Sequence, residues 1–417
     1  MVLKAQLKQK ALEAGFDLAG VAPLDIWADL EFARKWVEQG FGGEMRYLEN
    51  PKRHDPRMVL PSAQSVLCVG LTYSAPYPYS TEVAQASLPE GTEPGPSNET
   101  PVPRAWISRY AWGQDYHQIM RAKLEKLREA IESLAPGVET RVYVDTGPVV
   151  ERAFARYSGI GWTGKNTCLI NPTKGSWFFL GVVLTSLSLE PDLPAPDRCG
   201  TCTRCLNACP TGALTGSYVM DASRCIAYLN IELKGSIPEM HRQQIGSNFY
   251  GCDICQDVCP WNRRQESGIT SQNKATSAQL STIGRQVQEK GFGRTGAATT
   301  LLPEFQPMEI TLSASTPAHE TESVGEKNPS TARRFSLYNP SLEALAELSE
   351  EDFRRAFARS PIKRPKYKGW LRNLCVVMGN SGDHRFIPKL EEFSRHEDPI
   401  VREHAEWALQ QLKHKSE

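Results

Sequence analysis

The spacing of its cysteines constrains this chain more than any other feature. Of its 11 cysteines, four form the run Cys199-x2-Cys202-x2-Cys205-x3-Cys209-Pro210. Three more form Cys252-x2-Cys255-x3-Cys259-Pro260, and Cys225 lies upstream as the missing member of that second run. A C-x2-C-x2-C turn wraps three corners of a cubane, and the next cysteine, before proline, is carried away to a second cluster. The spacing therefore predicts two [4Fe–4S] clusters. Cys199, Cys202, Cys205 and Cys259 would hold one, and Cys209, Cys225, Cys252 and Cys255 the other. A zinc ribbon uses two C-x2-C pairs and leaves the third cysteine and both prolines unexplained. A disulfide scaffold belongs to an oxidising compartment. Cys68 in an apolar strand and Cys375 in an apolar helix read as small buried hydrophobes. Cys168 reads as packing, with a place in a site left open.

The bulk composition sets the compartment. The N-terminal stretch MVLKAQLKQKALEAGFDLAG has no continuous apolar core, unlike a signal peptide. The longest apolar stretch, Trp177–Leu184, is too short to cross a bilayer. The expectation is a cytoplasmic protein with no membrane partner, where clustered cysteines serve metals. Lys+Arg and Asp+Glu are both 48, so a nucleic-acid partner must be met by a local basic surface.

The 417 residues divide by pattern into four parts. Residues 1–190 read as an α+β domain, helices interleaved with strands without a regular βαβ beat. Helices are expected over Leu3–Ala14, Trp27–Gln39, His117–Leu134 and Glu151–Ser158, and strands over Ser65–Tyr73 and Arg141–Asp145. A Pro/Ser/Glu-rich loop runs from about Ala75 to Pro103. Thr167–Ile170 and Trp177–Thr185 read as a hairpin across the turn NPTKGS. Residues 191–263 form the ferredoxin-like cluster domain. Residues 264–336, rich in Ser, Thr, Gln and Gly, read as a flexible insertion with an ordered island at Leu301–Pro307. Residues 337–417 read as a helical tail whose DPIVREHAEWALQQL segment suggests HEAT-like repeats packed on the main body.

Clusters carry electrons, so another centre must do the bond chemistry. Gly159–Asn166 (GIGWTGKN) nearly matches a phosphate loop, but it ends in Asn and lies between helix and strand in the wrong order. No G-x-G-x-x-G turn supports a dinucleotide site. Asp115-Tyr116-His117-Gln118-Ile119-Met120 lacks the Gly of the D-x-H-x-x-G sequence that ligates cobalamin, so His117 reads as the start of a surface helix. Asp145 closes a strand before Thr-Gly-Pro. The residues alone favour an N-cap of the following helix; in a low-dielectric pocket its raised pKa would instead suit a general acid. Arg354–Arg372 carries eight cations and no acid, with Tyr367 and Trp370 interleaved. It reads either as a solvated linker or as a surface for phosphates and stacked bases.

Taken together, RHDPRMVLP at 53–61, ISRYAWGQDYH at 107–117, VDTG at 144–147, GIGWTGKN, both cysteine runs, CIAYLNIELKG at 225–235 and LRNLCVVMGNSGD at 371–383 resemble the epoxyqueuosine reductase family. The resemblance covers nearly everything outside the polar stretches at about 78–102 and 264–336. It implies reduction of epoxyqueuosine at the tRNA wobble position to queuosine. It also implies a base-off cobalamin beside one cluster, in an N-terminal cobalamin-binding domain. Asp145 is then the proton donor. Cobalamin contacts fall on Arg53, Ser108, Asp145, Leu169, Leu180 and Asn230–Ile231, with a side-chain role at Ser108 left open. Lys234, Lys363, Arg364 and Lys366 face the RNA. An unidentified low-potential electron donor and a monomeric state complete the expectation. Two other readings stay open: a cobalamin-dependent reductive dehalogenase acting on a small molecule, and a ferredoxin-type electron carrier.

Overall fold

The computed structural model describes residues 2–86, 102–263, 299–300, 302–312 and 334–414. Among them are strands β1 (Leu18–Pro23), β2 (Ser65–Thr72), β3 (Trp106–Ile107), β4 (Thr140–Tyr143), β5 (Trp162–Thr163), β6 (Leu169–Ile170), β7 (Phe178–Thr185) and β8 (Asn248–Tyr250). A four-stranded sheet in the order β1-β2-β7-β4 organises the N-terminal half. All its pairings are antiparallel, with Leu18 opposite Gly70, Cys68 opposite Val182 and Val142 opposite Val183.

Alternation along β2 explains why the whole strand is buried. Leu67, Val69 and Leu71 enter one core, with Leu7 and Ala11 of helix α1 (Val2–Glu13). Met120, Leu124, Leu127 and Ile131 join them, spaced to line one stripe of the long helix Tyr116–Leu134. Val66 and Cys68 face the opposite core, with Leu30 of the helix Trp27–Glu38 and Phe154 of Glu151–Tyr157. Helices thus cover both faces of an antiparallel sheet, a mixed helix-and-sheet architecture. Gly20 allows the second layer to close, since a Cβ there would lie 1.9 Å from the carbonyl oxygen of Ser158.

The expected hairpin over residues 167–185 does not form. Only Asn171 and Gly175 bridge across its turn. Leu169–Ile170 pairs back with Trp162–Thr163, and β7 has both edges taken by β2 and β4. A strand central in the sheet has no free edge for a local partner. Within the expected loop after Ala75, Ser80–Ala86 is helical, and residues 87–101 lie outside the described residues. The expected insertion is also narrower than its composition indicates. Phe305 packs on Phe179 in the core beneath the helix Tyr116–Leu134, and Ile310 and Leu312 enter a separate core built with the C-terminal helices. Glu309–Thr311 pairs with Arg334–Ser336. The rest of 264–336, including Leu301, lies outside the described residues.

The second core joins β3 and β8, paired in parallel, to the C-terminal helices. Trp106, Phe249, Phe357, Trp370, Leu374, Met378 and Val401 all lie in it. The helices Lys366–Ser381 and Pro399–His414 touch at Gly379, where a Cβ would come within 2.9 Å of Ala408 Cβ. Trp370 and Arg372 are each only 1% exposed, so Trp370 has no free face for a stacked base and Arg372 does not stand on the open surface, contrary to the linear pattern. Arg372 donates to the carbonyls of Leu229, Leu233 and Gly235, and Asn373 to those of Asn230 and Phe249. The tail is thereby fastened to the cysteine-bearing segment. No helix among the described residues is long and apolar enough to cross a membrane.

Candidate redox and substrate site

None of the eight framework cysteines is in a disulfide, and their thiols lie close enough to act on one another, with Cys168 acting on Cys225, Cys255 and Cys259. Cys205 feels Cys199 and Cys202, and Cys259 feels Cys199 and Cys205. Cys225 feels Cys209, Cys252 feels both, and Cys255 feels Cys252 and Cys225. Burial raises the thiols of Cys205, Cys225 and Cys252, and that of Cys259 to about 11. These sulfurs become thiolates readily only against metal charge. Among the described residues no three His, Cys, Asp or Glu side chains converge on a single ion. Cubane ligands stand farther apart than that, at the corners of the cluster. Cys168 lies beside Cys255, and that neighbour lowers its thiol against the effect of burial.

The segment around Cys252 and Cys255 is fastened to the sheet domain by side chains other than the cysteines. Asp253 is fully buried between Cys252 and Cys255. It accepts from Trp106 Nε1 at 3.0 Å, from the Arg109 amide at 2.8 Å and from the Ser108 hydroxyl. Arg109, 2% exposed, donates to the carbonyls of Ala75, Tyr77 and Pro78. Asn230 donates to the carbonyls of Asn248 and Gly251 and accepts from the Gly251 amide. Asn166, in the rejected phosphate-loop segment, donates to the Cys255 carbonyl at 3.2 Å. The side chains of Ser108, where a side-chain role was left open, and of Asn230 are therefore spent on holding the cluster loop.

Asp145 follows β4 with φ 51°. It does not cap the next helix, whose N-cap is Val150 with no capping side chain. Its Oδ2 lies 3.2 Å from His117 Nε2, and the Tyr116 hydroxyl also hydrogen-bonds it. His117 Nδ1 lies 2.7 Å from Asp115 Oδ1, and Asp115 caps the helix through the His117 amide. Burial works against a charged imidazole here, but the carboxylates of Asp115 and Asp145 outweigh it and raise His117 to about 9. Burial alone would raise Asp145, yet His117 beside it holds its carboxyl below the usual range. The raised pKa expected of a buried general acid is thus absent from Asp145, and at neutral pH the proton of this pair sits on His117. The next acid, Glu151, is pushed up to about 8 by burial, and its Oε1 has no hydrogen-bond partner. Neither His117 nor Glu151 was expected in the site. The Asp-x-His spacing at the helix start is the only sequence signal for the first.

The remaining expected residues gather on two sides. Arg53 donates to the Val149 carbonyl at 3.3 Å, two residues from Glu151. Leu169 and Leu180 share the core beneath, and Ile231 belongs to the second core. An orphaned carboxyl oxygen, a cation and aliphatic side chains suit a flat macrocycle fringed with amides. On the other side, Tyr47 lies under both Arg53 and Arg364 guanidinium groups, at 5.6 and 5.8 Å. Arg364 grips both Glu232 oxygens, Lys363 reaches Asp115 Oδ2 at 3.2 Å, and Lys234 donates to the Ile231 and Arg364 carbonyls. Acids from distant segments thus neutralise part of a stretch that contains none of its own.

Eight thiols in ferredoxin spacing, with the Cys252–Cys255 segment clamped to a domain that carries an Asp–His pair, define an iron–sulfur oxidoreductase of the two-cluster ferredoxin type. The family profile described as 4Fe-4S double cluster binding domain matches residues 198–262, and that described as Epoxyqueuosine reductase QueG, DUF1730 matches residues 53–146. The chain is 36% identical over 410 residues to an epoxyqueuosine reductase of Xanthomonas campestris pv. campestris, covering 98% of this chain and 95% of the relative. It is 37% identical over 383 residues to that of Gloeobacter violaceus, covering 91% and 97%. A solved epoxyqueuosine reductase with a tRNA-Tyr epoxyqueuosine-modified stem loop superposes with TM-score 0.72 at 28% identity, over 99% of this chain and 90% of the other. Another, from Bacillus subtilis, has an aspartate-bearing catalytic loop swung out of its active site, with the same score and coverage. The chain belongs to the epoxyqueuosine reductase family.

Proposed function

We propose that the protein reduces epoxyqueuosine at the wobble position of tRNA to queuosine. The epoxide takes up two electrons and two protons and leaves as an alkene and water. One observation carries the reading beyond family membership: a proton-bearing His117–Asp145 pair stands in the domain to which Asp253 clamps the cluster cysteines. Each set of four cysteines would hold one [4Fe–4S] cluster, which passes electrons singly. Base-off cobalamin, when bound, supplies the low-valent metal chemistry at the carbon–oxygen bond. Arg53, Leu169, Leu180, Ile231 and Asp145 would hold it, together with the backbone at Ser108 and Asn230.

Asp145 would deliver a proton to the leaving oxygen. Because His117 holds its carboxyl low, that proton is drawn from the imidazolium at 3.2 Å. The positive φ of Asp145 places it at a bend that can carry the carboxylate toward the substrate. Lys234, Lys363, Arg364 and Lys366 would face the RNA, with the paired C-terminal helices as a HEAT-like support. The electron donor would be an external low-potential carrier, and the enzyme a cytoplasmic monomer. Neither the dehalogenase nor the stand-alone carrier explains why the chain matches reductases of modified tRNA along nearly its whole length. Reconstituted enzyme should convert epoxyqueuosine-containing tRNA only when supplied with both reductant and cobalamin. Turnover indifferent to cobalamin, or none on that tRNA, would overturn the assignment.

A further inference from the structure

A cavity of about 230 Å³ lies where the loop after Ile231 meets the start of the helix Lys366–Ser381. Lys234, Lys366, Lys368 and Arg372 line it, with Leu233 and Ile400 as its apolar sides, and no carboxylate lines it. Four cations around one small space repel one another unless something negative sits between them. The protein supplies little. Arg372 is almost fully buried, and its guanidinium meets only carbonyl oxygens and the Asn373 amide oxygen. Lys234 Nζ likewise donates to two carbonyls. Lys366 is exposed and forms no ion pair among the described residues. Lys368 alone reaches an acid, Asp398, at 3.4 Å.

Backbone geometry adds to the charge. The 16-residue helix opens at Lys366, after Pro365, with no capping side chain. Its positive end and first amides therefore belong to the same corner. Burial and the neighbouring Arg364, Arg372 and Lys366 charges lower the affinity of Lys234 for its proton, and the opposing charge of Glu232, outside the cavity, does not offset them.

We infer that this cavity seats one backbone phosphate of the tRNA substrate, with Lys366 and Lys368 as its side-chain ligands and Lys234 and Arg372 as fixed charge behind them. The inference rests on the tRNA reading above. It divides the basic stretch: Lys363 and Arg364 are occupied by Asp115 and Glu232, whereas Lys366 and Lys368 line an anion-sized cavity. A polymer phosphate fits better than a free one, because Lys234 also bonds the Arg364 carbonyl. The cavity thus adjoins the Arg364–Tyr47–Arg53 ridge, where Tyr47 feels the charge of Asp145.

The test uses reconstituted full-length protein and an anticodon stem-loop carrying single methylphosphonate linkages, each of which removes one phosphate charge. Lys366→Gln and Lys368→Gln should each weaken stem-loop binding about tenfold and lower the salt slope by about one. One methylphosphonate position should weaken the wild type about tenfold yet cost the Lys366→Gln variant almost nothing more, the non-additivity of a shared contact. Arg359→Gln, outside the cavity, should show no such coupling. If the wild type binds the stem-loop but every methylphosphonate adds independently to both lysine variants, the phosphate assignment is wrong while tRNA binding stands. If Lys366 governs binding of inorganic phosphate but couples to no linkage, the cavity is a free-anion site and the RNA assignment falls. If the wild type fails to bind the stem-loop at all, the tRNA reading fails with it.

Discussion

Replacing His117 with glutamine removes the group that sets the protonation of Asp145. His117 is carried from 6.5 to about 9 against the effect of burial, which corresponds to about 3 kcal/mol of preference for the imidazolium. Two carboxylates share that preference, and the charge of His117 holds the Asp145 carboxyl below its usual range. The sign follows from linkage: a raised histidine pKa gives stability that is full below about 6.5 and is lost as pH rises through about 9. The proton store empties over the same range. Single-turnover reduction of modified tRNA by chemically prereduced enzyme should therefore hold from neutral pH and decline through about 9. In His117→Gln the decline should begin well below neutrality, where an Asp145 carboxyl without its partner titrates. The variant should also lose the extra stability that the wild type shows at pH 6.5 over pH 9. A glutamine variant with an unchanged alkaline limb would refute the role of His117 as the proton store.

Other substitutions test neighbouring parts of the site. Asp145→Asn should abolish turnover while iron content stays at the wild-type level; full turnover would remove Asp145 from proton delivery. Glu151, raised to about 8 by burial, lends its neutral form a stability that is kept at low pH and lost as pH rises through 8. Glu151→Gln should flatten that loss, worth up to about 4 kcal/mol, in urea titrations at pH 5 and pH 9. An unchanged pH dependence would contradict it. Asp253→Ala strands three buried donors and should cost about 3–5 kcal/mol. Iron per chain should fall toward half as the second cluster is lost; full iron retention would show that the clamp is dispensable.

What the sequence disclosed depended on how local the physics was. Cysteines a few residues apart in a tight turn point to a double-cluster domain through spacing alone, and the double-cluster profile matches residues 198–262. Helices with a strong apolar stripe, such as Tyr116–Leu134, lie within a residue or two of where periodicity puts them. The failures were non-local. The turn at 171–175 looked like a hairpin, but β7 found better burial between β2 and β4. Trp370 and Arg372 looked like a nucleic-acid surface because a linear stretch does not say which side faces the core. The ordered island expected at 301–307 does hold the buried Phe305, but the polar composition of 264–336 hid Ile310 and Leu312, two further apolar anchors. His117 became part of the site only when a strand end 28 residues later brought Asp145 to it. Asp253 shows no sequence signal at all, because its role depends on three donors from the segment 106–109.

Iron and sulfide counted in anaerobically purified wild type, Cys202→Ser and Cys252→Ser protein test the central claim most directly. Two separate cubanes predict about eight iron atoms per wild-type chain and about four in each variant, with a different cluster surviving in each. Zinc in place of iron, a wild type with only four iron atoms, or loss of the same cluster in both variants would contradict it.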